Sequence, residues 1–304
     1  MTLWTVVDLG VVLVLAPALT GVAARTKSLL TGRRGAPLLQ PYRDLVRLWR
    51  KGAVYSTTTT WMFRFAPVAA VVTTFSATLL VPFDGQDAVI RFSGDFVALA
   101  GLLGLGRFTL ILAALDTGSS FEGMGASRDA TFATLVEPAL FTSFIVLALV
   151  TGERSLSGML GSGTTAAWGH AAPSLAMVAV SLFFVLLAEG SRVPVDDPAT
   201  HLELTMIHEV AVLDHSGPDL ALLLYGGALR FGLFAALPVG VLAARGTLPA
   251  PLGAAVLVLG SLVIAALVGV VESSMARLRL SRVPQFLVAA TVLAALGVIL
   301  QVLA

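Results

Sequence analysis

Residues 251–272 read PLGAAVLVLGSLVIAALVGVVE, and the only ionisable side chain among them is Glu272 at the end. An apolar run of roughly 20 residues is long enough to cross the hydrocarbon core of a bilayer as an α-helix. A soluble amphipathic helix would keep a polar stripe, which this run lacks. Similar runs recur along the chain and predict a bundle of about eight transmembrane helices. The predicted spans are 3–24, 63–82, 94–115, 131–151, 173–193, 219–243, 251–272 and 284–304.

The composition indicates an all-α integral membrane protein. Of the 304 residues, 57% are hydrophobic and only 12% are charged, and the mean hydropathy is +0.92. A membrane β-barrel would alternate polar and apolar residues over strands of about 10 residues, and this sequence shows no such alternation. The spans and their connections use the whole chain, so we expect residues 1–304 to form a single polytopic membrane domain.

Cysteine is absent from the sequence. This excludes thiolate-bound zinc, iron–sulfur clusters and covalently attached c-type haem within the chain. The formal net charge of +1 gives no overall preference for nucleic acid. We therefore expect no nucleic-acid partner, no metal or cofactor site and no catalytic redox centre in this chain.

Lysine and arginine are concentrated in the connections on one side of the predicted bundle. The opposite side carries only Arg91, Arg154 and Arg245. Because basic loops remain in the cytoplasm, the pattern predicts a multi-pass protein of the cell (inner) membrane with both termini outside. The basic residues of the first connection are Arg25, Lys27, Arg33, Arg34, Arg43, Arg47, Arg50 and Lys51.

Two cytoplasmic segments are predicted to form surface helices. Residues 42–51 are amphipathic, with Tyr42 and Trp49 on the apolar face and the basic residues on the other. This helix fits either an anchor on anionic lipid or a docking surface for a soluble partner. Residues 189–218 are acidic, and Asp197-Pro198 predicts the start of an acidic surface helix that ends near residue 216.

Ionisable side chains fall within the predicted spans and at their ends, where burying a charge is costly and a functional role is expected. Arg107 and Arg230 lie near the middle of their spans, and Glu137, followed by Pro138, is their best-placed carboxylate partner. Two interpretations remain: the charges hold the helices together, or they form a hydrated chain that passes protons. The ion-pathway candidates are Glu137, Glu189, Arg107, Arg230, Asp116 and Glu272.

His201, His208 and His215 recur every seven residues. On a helix this spacing places them on one face about 10 Å apart, which is too far for two of them to share a metal ion. A proton relay or a partner contact is the better interpretation. The pair Asp196-Asp197 alternatively suggests a membrane prenyltransferase that binds magnesium diphosphate, but such an enzyme needs two separated acidic clusters, and only one pair is present.

The segment from Glu189 to Pro198, EGSRVPVDDP, resembles the E-x-x-R-x-P-x-D stretch of respiratory complex I subunit 1. Its continuation ATHLELTMIHE, residues 199–209, is more similar to the membrane subunit of formate hydrogenlyase and of related energy-converting (group 4) nickel–iron hydrogenases. Residues 34–44, 121–138 and 272–286 also resemble this family. The resemblance covers nearly the whole chain.

The resemblance implies a non-catalytic membrane-anchor and ion-coupling subunit. In the family, this subunit joins a peripheral arm to antiporter-like membrane subunits, and its acidic residues are linked to proton or sodium movement. The implied partners are the hydrogenase large and small subunits and an iron–sulfur subunit, which carry the nickel–iron centre and the iron–sulfur clusters. The residues that the resemblance assigns to the peripheral-arm interface are Arg34, Gln40, Asp44, Arg192, Asp196, Asp197, His201, Glu203, His208, Glu209, Arg277 and Arg279.

The sequence departs from the complex I pattern at two places. Subunit 1 of complex I usually has phenylalanine where this chain has Val195, and a glutamate-rich continuation where this chain has residues 197–201. These differences favour a hydrogenase-type complex over the alternative, a quinone-site subunit of respiratory complex I.

Overall fold

The computed structural model describes residues 3–196, 206–243 and 245–303, with side chains from Asp8 onward. The predicted interface residues Asp197, His201 and Glu203 lie outside the described residues. Helices and loops account for all of the described ranges, which contain no β-strand. The α-helices of these ranges are α1 (Leu3–Leu30), α2 (Gln40–Trp49), α3 (Trp61–Thr78), α4 (Asp95–Asp116), α5 (Ser120–Thr151), α6 (Leu156–Leu160), α7 (Ser162–Glu189), α8 (Gly217–Leu242), α9 (Ala250–Ser274) and α10 (Val283–Leu303).

Seven helices of the described ranges are long and apolar enough to cross a membrane, namely α1, α4, α5, α7, α8, α9 and α10. The remaining predicted span, residues 63–82, coincides with α3, which has 18 residues and includes Arg64 and several hydroxyl side chains. α3 packs against α4 and α8, so its place in the bundle depends on these helix contacts as well as on its apolar residues. The prediction of about eight spans therefore becomes seven apolar spans together with this shorter, more polar helix.

Long-range contacts show which connections share an end of the bundle. The Thr60 amide, before α3, donates to Asp116 Oδ2 at the end of α4 over 2.6 Å. At the other end, which we call the terminal face, the Gly94 amide donates to the Arg154 carbonyl oxygen over 2.8 Å. Both described ends of the chain point toward the terminal face. We call the opposite end the loop face, and it is formed by residues 31–60, 117–119, 190–196, 206–216 and 275–282.

The centre of the bundle is formed by α7 and α8. α7 packs against α5, α6, α8 and α10, while α8 also packs against α1, α2, α3 and α9. Small residues allow these helices to approach closely, since a Cβ added at Gly226 would lie 3.3 Å from Val71 and one at Gly232 would lie 3.5 Å from Ala16. Such close packing is what holds helices together in a bilayer, where lipid is as apolar as the core.

The amphipathic helix predicted over 42–51 is confirmed as α2. Pro41 lies in its first turn, where the missing N–H removes no helical hydrogen bond. α2 packs against α1 and α8, and the Tyr42 hydroxyl donates to the Val14 carbonyl oxygen. Basic side chains such as Arg47 remain exposed on the loop face.

The prediction of an acidic surface helix that begins at Asp197 is wrong for residues 206–216, the part of it that the structure describes. Residues 206–216 contain a short 3-10 helix, Glu209–Val212, and no α-helix. α8 then begins at Gly217. This segment is held by long-range contacts instead of a continuous helix, and its path brings one of its histidines to the charged residues of the bundle.

Candidate functional site

Arg107 lies in the middle of α4, and its side chain is 7% exposed. Its guanidinium contacts three carboxylates on two other helices. Asp129 Oδ1 lies 3.7 Å from Nε, Glu137 Oε1 lies 3.4 Å from Nη1, and Nη2 donates to Glu189. Removing one partner of a buried ion pair costs about 3–5 kcal/mol, so these contacts fix the relative positions of α4, α5 and α7.

Glu189, the last residue of α7, joins the two buried arginines. Besides contacting Arg107, its Oε2 lies 3.8 Å from Nη1 of Arg230 on α8. Glu137, the best-placed partner predicted for both arginines, contacts Arg107, whereas the ion pair of Arg230 is with Glu189. Glu189 is the shared carboxylate and is 6% exposed, whereas the Glu137 side chain is 48% exposed and contacts Arg107 from the edge of the bundle.

A second branch leads from Arg107 toward the loop face. His208 lies between two carboxylates, with Nε2 3.3 Å from Asp129 Oδ1 and Nδ1 3.4 Å from Asp196 Oδ2. Arg277 Nη2 donates to Asp196 Oδ1 over 3.2 Å. This branch connects α5, inside the bundle, with the α7–α8 and α9–α10 connections on the loop face.

The pairing of His208 determines its charge. Burial disfavours the imidazolium, but the carboxylates of Asp129 and Asp196 outweigh burial and raise the pKa of His208 to about 9. His208 is therefore a cation at neutral pH. Burial also opposes ionisation of Asp196, but hydrogen bonds with His208 and the charge of Arg277 lower the pKa of that carboxyl.

The ion pairs join eight of the described residues into one set that we call the charge network. When His208 is protonated, each cation of this set faces at least one carboxylate. The network consists of Arg107, His208, Arg230 and Arg277 together with Asp129, Glu137, Glu189 and Asp196.

Asp196 also anchors the segment that follows α7. Its Oδ2 accepts hydrogen bonds from the amides of Ile207 and His208 over 3.2 and 3.1 Å. The Asp196 side chain is only 2% exposed. The Asp196 carboxylate is thus bound inside the protein, and its contact with a partner stays a prediction. The same occupancy argues against the magnesium–diphosphate motif of a prenyltransferase.

Glu272 forms a separate cluster at the loop-face end of α9. Its carboxylate lies 3.6 Å from Lys27 Nζ and 3.3 Å from Arg192 Nη1. The Arg192 guanidinium also stacks over the Phe231 ring, 4.9 Å from its centroid. This cluster joins three helices, α1, α8 and α9, to the connection that follows α7.

A cavity of about 430 Å³ lies beside the charge network, with walls formed by α1, α2, α3, α4 and α8. This volume falls in the range of about 300–1,000 Å³ that is typical of small-molecule sites. Asp129, Glu189, Arg192, His208 and Arg230 contribute polar groups to its wall, and much of the remaining wall is apolar. The cavity can hold water next to the network or the head group of an amphipathic molecule.

The structure brings four of the six ion-pathway candidates into the charge network, namely Glu137, Glu189, Arg107 and Arg230. The other two lie apart. Asp116 accepts hydrogen bonds from the Thr60 amide and hydroxyl and so fixes the start of α3. Glu272 belongs to the separate cluster with Lys27 and Arg192.

The described interface candidates differ in exposure and in their contacts. Arg34 and Arg279 are exposed on the loop face, and Gln40 Nε2 donates to Asp44 Oδ1 within α2 over 3.0 Å. Glu209 lies in the cavity wall. The remaining candidates make internal ion pairs and are Arg192, Asp196, His208 and Arg277.

Sequence analysis misses Asp129, because the fourth predicted span begins only at residue 131 while α5 begins at Ser120. Its position about two turns before Glu137 on one helix is the signal that could have found it. The expected common face for the histidines is also wrong for the two that the structure describes. His215 stacks on Phe63 at a centroid distance of 3.9 Å, and burial lowers its pKa to about 4, so it is neutral.

Comparison with known families matches residues 3–303 to the NADH dehydrogenase family. The chain is 32% identical to hydrogenase-4 component C of Escherichia coli (strain K12) over 232 residues, which cover 76% of this chain and 72% of that protein. It is 29% identical to formate hydrogenlyase subunit 4 of the same organism over 291 residues, which cover 93% of each.

Among solved structures, a chain of the membrane-bound sulfane sulfur reductase, an archaeal respiratory membrane complex, has the same fold. The TM-score is 0.81 at 20% sequence identity, and the match covers 98% of both chains. The predicted all-α membrane architecture and the family resemblance are thus confirmed. With its match over residues 3–303, the chain belongs to the NADH dehydrogenase family and is a membrane subunit related to those of hydrogenase-4 and formate hydrogenlyase.

Proposed function

We propose that this subunit docks the peripheral redox arm of a hydrogenase-type complex on its loop face and couples redox chemistry to proton or sodium movement. The supporting observation is the charge network, which extends from Asp196 after α7 to Glu137 within the membrane helix α5. A partner bound on the loop face can act on the first residue through residues 206–216, because Asp196 holds the amides of Ile207 and His208, and an ion in the membrane can act on the second. The nickel–iron centre and iron–sulfur clusters would belong to the partner subunits.

His208 provides the step that links movement to protonation. It holds a proton at neutral pH while it is paired, because its pKa is about 9. An unpaired histidine has a pKa of about 6.5 and would release that proton. If a partner drew residues 206–216 away from Asp129, the network would lose one positive charge, and a carboxylate beside Arg107 would then take up a proton. Loop movement and proton transfer are coupled in this way.

The loop face also offers groups for docking. Arg34, Arg279 and the basic side of α2 are exposed there. Exposed charges of one sign steer a complementary partner and set its orientation. We expect an acidic surface on the hydrogenase or iron–sulfur subunit that binds here, while antiporter-like subunits would pack within the membrane.

The coupling proposal is tested by Glu137→Gln in the assembled complex in sealed inverted membrane vesicles. We expect the complex to assemble, because Glu137 is half-exposed at the edge of the network and glutamine preserves its shape. Electron transfer should continue while fewer ions move per electron, since the amide cannot take up a proton. Ion transport and electron transfer are measured separately in the same vesicles.

The matched control is Asp87→Asn, which removes a carboxylate from an exposed pair with Arg91 on the terminal face. This variant should leave the ratio of ions to electrons unchanged. An unchanged ratio in Glu137→Gln as well would contradict the coupling role of the network.

The cavity favours a second candidate function, binding of a quinone head group. Arg230 offers hydrogen-bond donors in the cavity wall, and the apolar part of the wall suits a hydrophobic tail. A photoreactive quinone analogue added to the purified complex should then label cavity residues such as Leu223 or Phe231, and excess quinone should suppress the labelling. Labelling that excess quinone leaves unchanged would reject this function.

A further inference from the structure

A second group of buried charged residues lies at the terminal face, apart from the charge network. Asp8 lies near the start of α1, Asp84 in the connection from α3 to α4, and Arg245 in the connection from α8 to α9. These residues are only 6%, 2% and 1% exposed, respectively. Burying a charge is costly unless an opposite charge or hydrogen bonds compensate it. Each of the three side chains therefore needs a partner.

Arg245 holds the α3–α4 connection through the backbone. Its Nη1 donates to the Phe83 carbonyl oxygen over 2.9 Å. Burial lowers the pKa of Arg245 to about 10, against the attraction of Asp84, so the guanidinium is still a cation at neutral pH. The ion pairs within 4 Å among the described residues include neither Asp8 nor Asp84, so Arg245 acts on Asp84 only from a greater distance.

The two carboxylates lack one compensating charge. Asp8 Oδ2 is buried and has no hydrogen-bond partner among the residues that the structure describes. Asp8 and Asp84 are close enough for their charges to repel each other. With Arg245 as the cation that attracts Asp84, two carboxylates and one guanidinium leave one negative charge in excess.

The chemistry of this site favours a small monovalent cation. The carboxylate oxygens of Asp8 and Asp84 are ligands that hard cations prefer. A divalent ion would replace the excess negative charge by an excess positive charge beside Arg245. The described ranges also contain no group of three His, Cys, Asp or Glu side chains that could hold a metal ion. A water molecule could donate to Asp8 Oδ2 but would bring no charge.

We propose that Asp8 and Asp84 bind one alkali cation, Na⁺ or K⁺, between α1 and the α3–α4 connection at the terminal face. The ion neutralises the excess charge and holds this connection in the bundle, where residues 80–85 are all buried. The Gln86 amide donates to Asp84 Oδ1 over 2.8 Å, and the Ala88 amide donates to Ser157 Oγ over 3.0 Å. The site is separate from the charge network and does not depend on the proposed coupling function.

Hydrogen exchange at the Gln86 and Ala88 amides in the purified, assembled complex tests this site. Chloride salts of Na⁺, K⁺, choline and Ca²⁺ are compared at equal ionic strength, so that screening stays constant. A ligand that binds only the closed form stabilises that form as it fills the site. Na⁺ or K⁺ at ten times its half-saturating concentration should therefore slow exchange about 10-fold relative to choline, which is too large for a buried site.

Asp8→Asn keeps the shape of the side chain and removes the excess charge, so exchange in this variant should no longer depend on Na⁺ or K⁺. The matched control is Asp87→Asn, because Asp87 lies in the same connection but is exposed and pairs with Arg91. This control should respond to Na⁺ and K⁺ as the native complex does.

Three results would overturn the proposal. Equal exchange in choline and in both alkali salts would show that no alkali ion binds and that a proton on Asp8 removes the excess charge. Slower exchange in Ca²⁺ but in neither alkali salt would assign the site to a divalent ion. An alkali effect that persists in Asp8→Asn would place the ion elsewhere. The coupling function is judged separately, by the ratio of ions to electrons in Glu137→Gln.

Discussion

Between pH 6.5 and 9, the stability with which residues 206–216 are held against the bundle should depend on pH. Replacing His208 by glutamine should abolish this dependence. In the native structure the pKa of His208 rises from 6.5 to about 9, because two carboxylates outweigh the effect of burial. Since the folded pKa is the higher one, the stabilisation is complete below pH 6.5 and is lost as the pH rises through 9. A shift of this size corresponds to about 3 kcal/mol.

Hydrogen exchange at the Ile207 amide measures this effect, because that amide donates to Asp196 beside His208. After correction for intrinsic exchange, its protection in the native protein should fall about 100-fold between pH 6.5 and 9. His208→Gln should show low protection with no slope in this range. His215→Gln is the control, since His215 has a pKa of about 4 and stays neutral throughout the range. Equal slopes in the native protein and His208→Gln would refute the assigned role.

Two further variants test the packing and the loop face. Gly253→Ala should prevent stable assembly, measured by size-exclusion chromatography, because its methyl group would overlap the Asp84 carbonyl oxygen, whereas Gly101→Ala meets open space and should be tolerated. Arg279→Glu should weaken binding of the peripheral subunits, by about 1 kcal/mol or less for each exposed charge pair lost, and so reduce their retention in salt-washed membranes. Arg91→Glu, on the terminal face, should leave retention unchanged. Equal retention in both arginine variants would contradict docking through the loop face.

The helices were predictable because each is encoded by local composition. Apolar runs of membrane length give α9 and its counterparts, and the alternation of basic and apolar faces gives α2. The polar residues of α3 reduce its apolar signal, so its membership in the bundle depends on contacts with α4 and α8 that the sequence does not reveal.

The site was predictable only in part. The high cost of burying charge singles out Arg107, Arg230 and Glu189, but which carboxylate each arginine meets depends on how α4, α5, α7 and α8 pack. His208 shows the limit most clearly. Its seven-residue spacing from His215 indicates a helix, yet hydrogen bonds to Asp196 hold the segment in an irregular path that local propensity cannot predict.

The position of α2 bears on how a ligand reaches the cavity. Pro41, Asp44 and Leu45 of this helix form part of the cavity wall, while Trp49 at its other end is exposed. A lipophilic compound dissolved at the membrane surface would meet the cavity beside α2. The potency of such a compound would then follow its partition coefficient, so doses should be compared as moles per mole of lipid and not as concentrations in buffer.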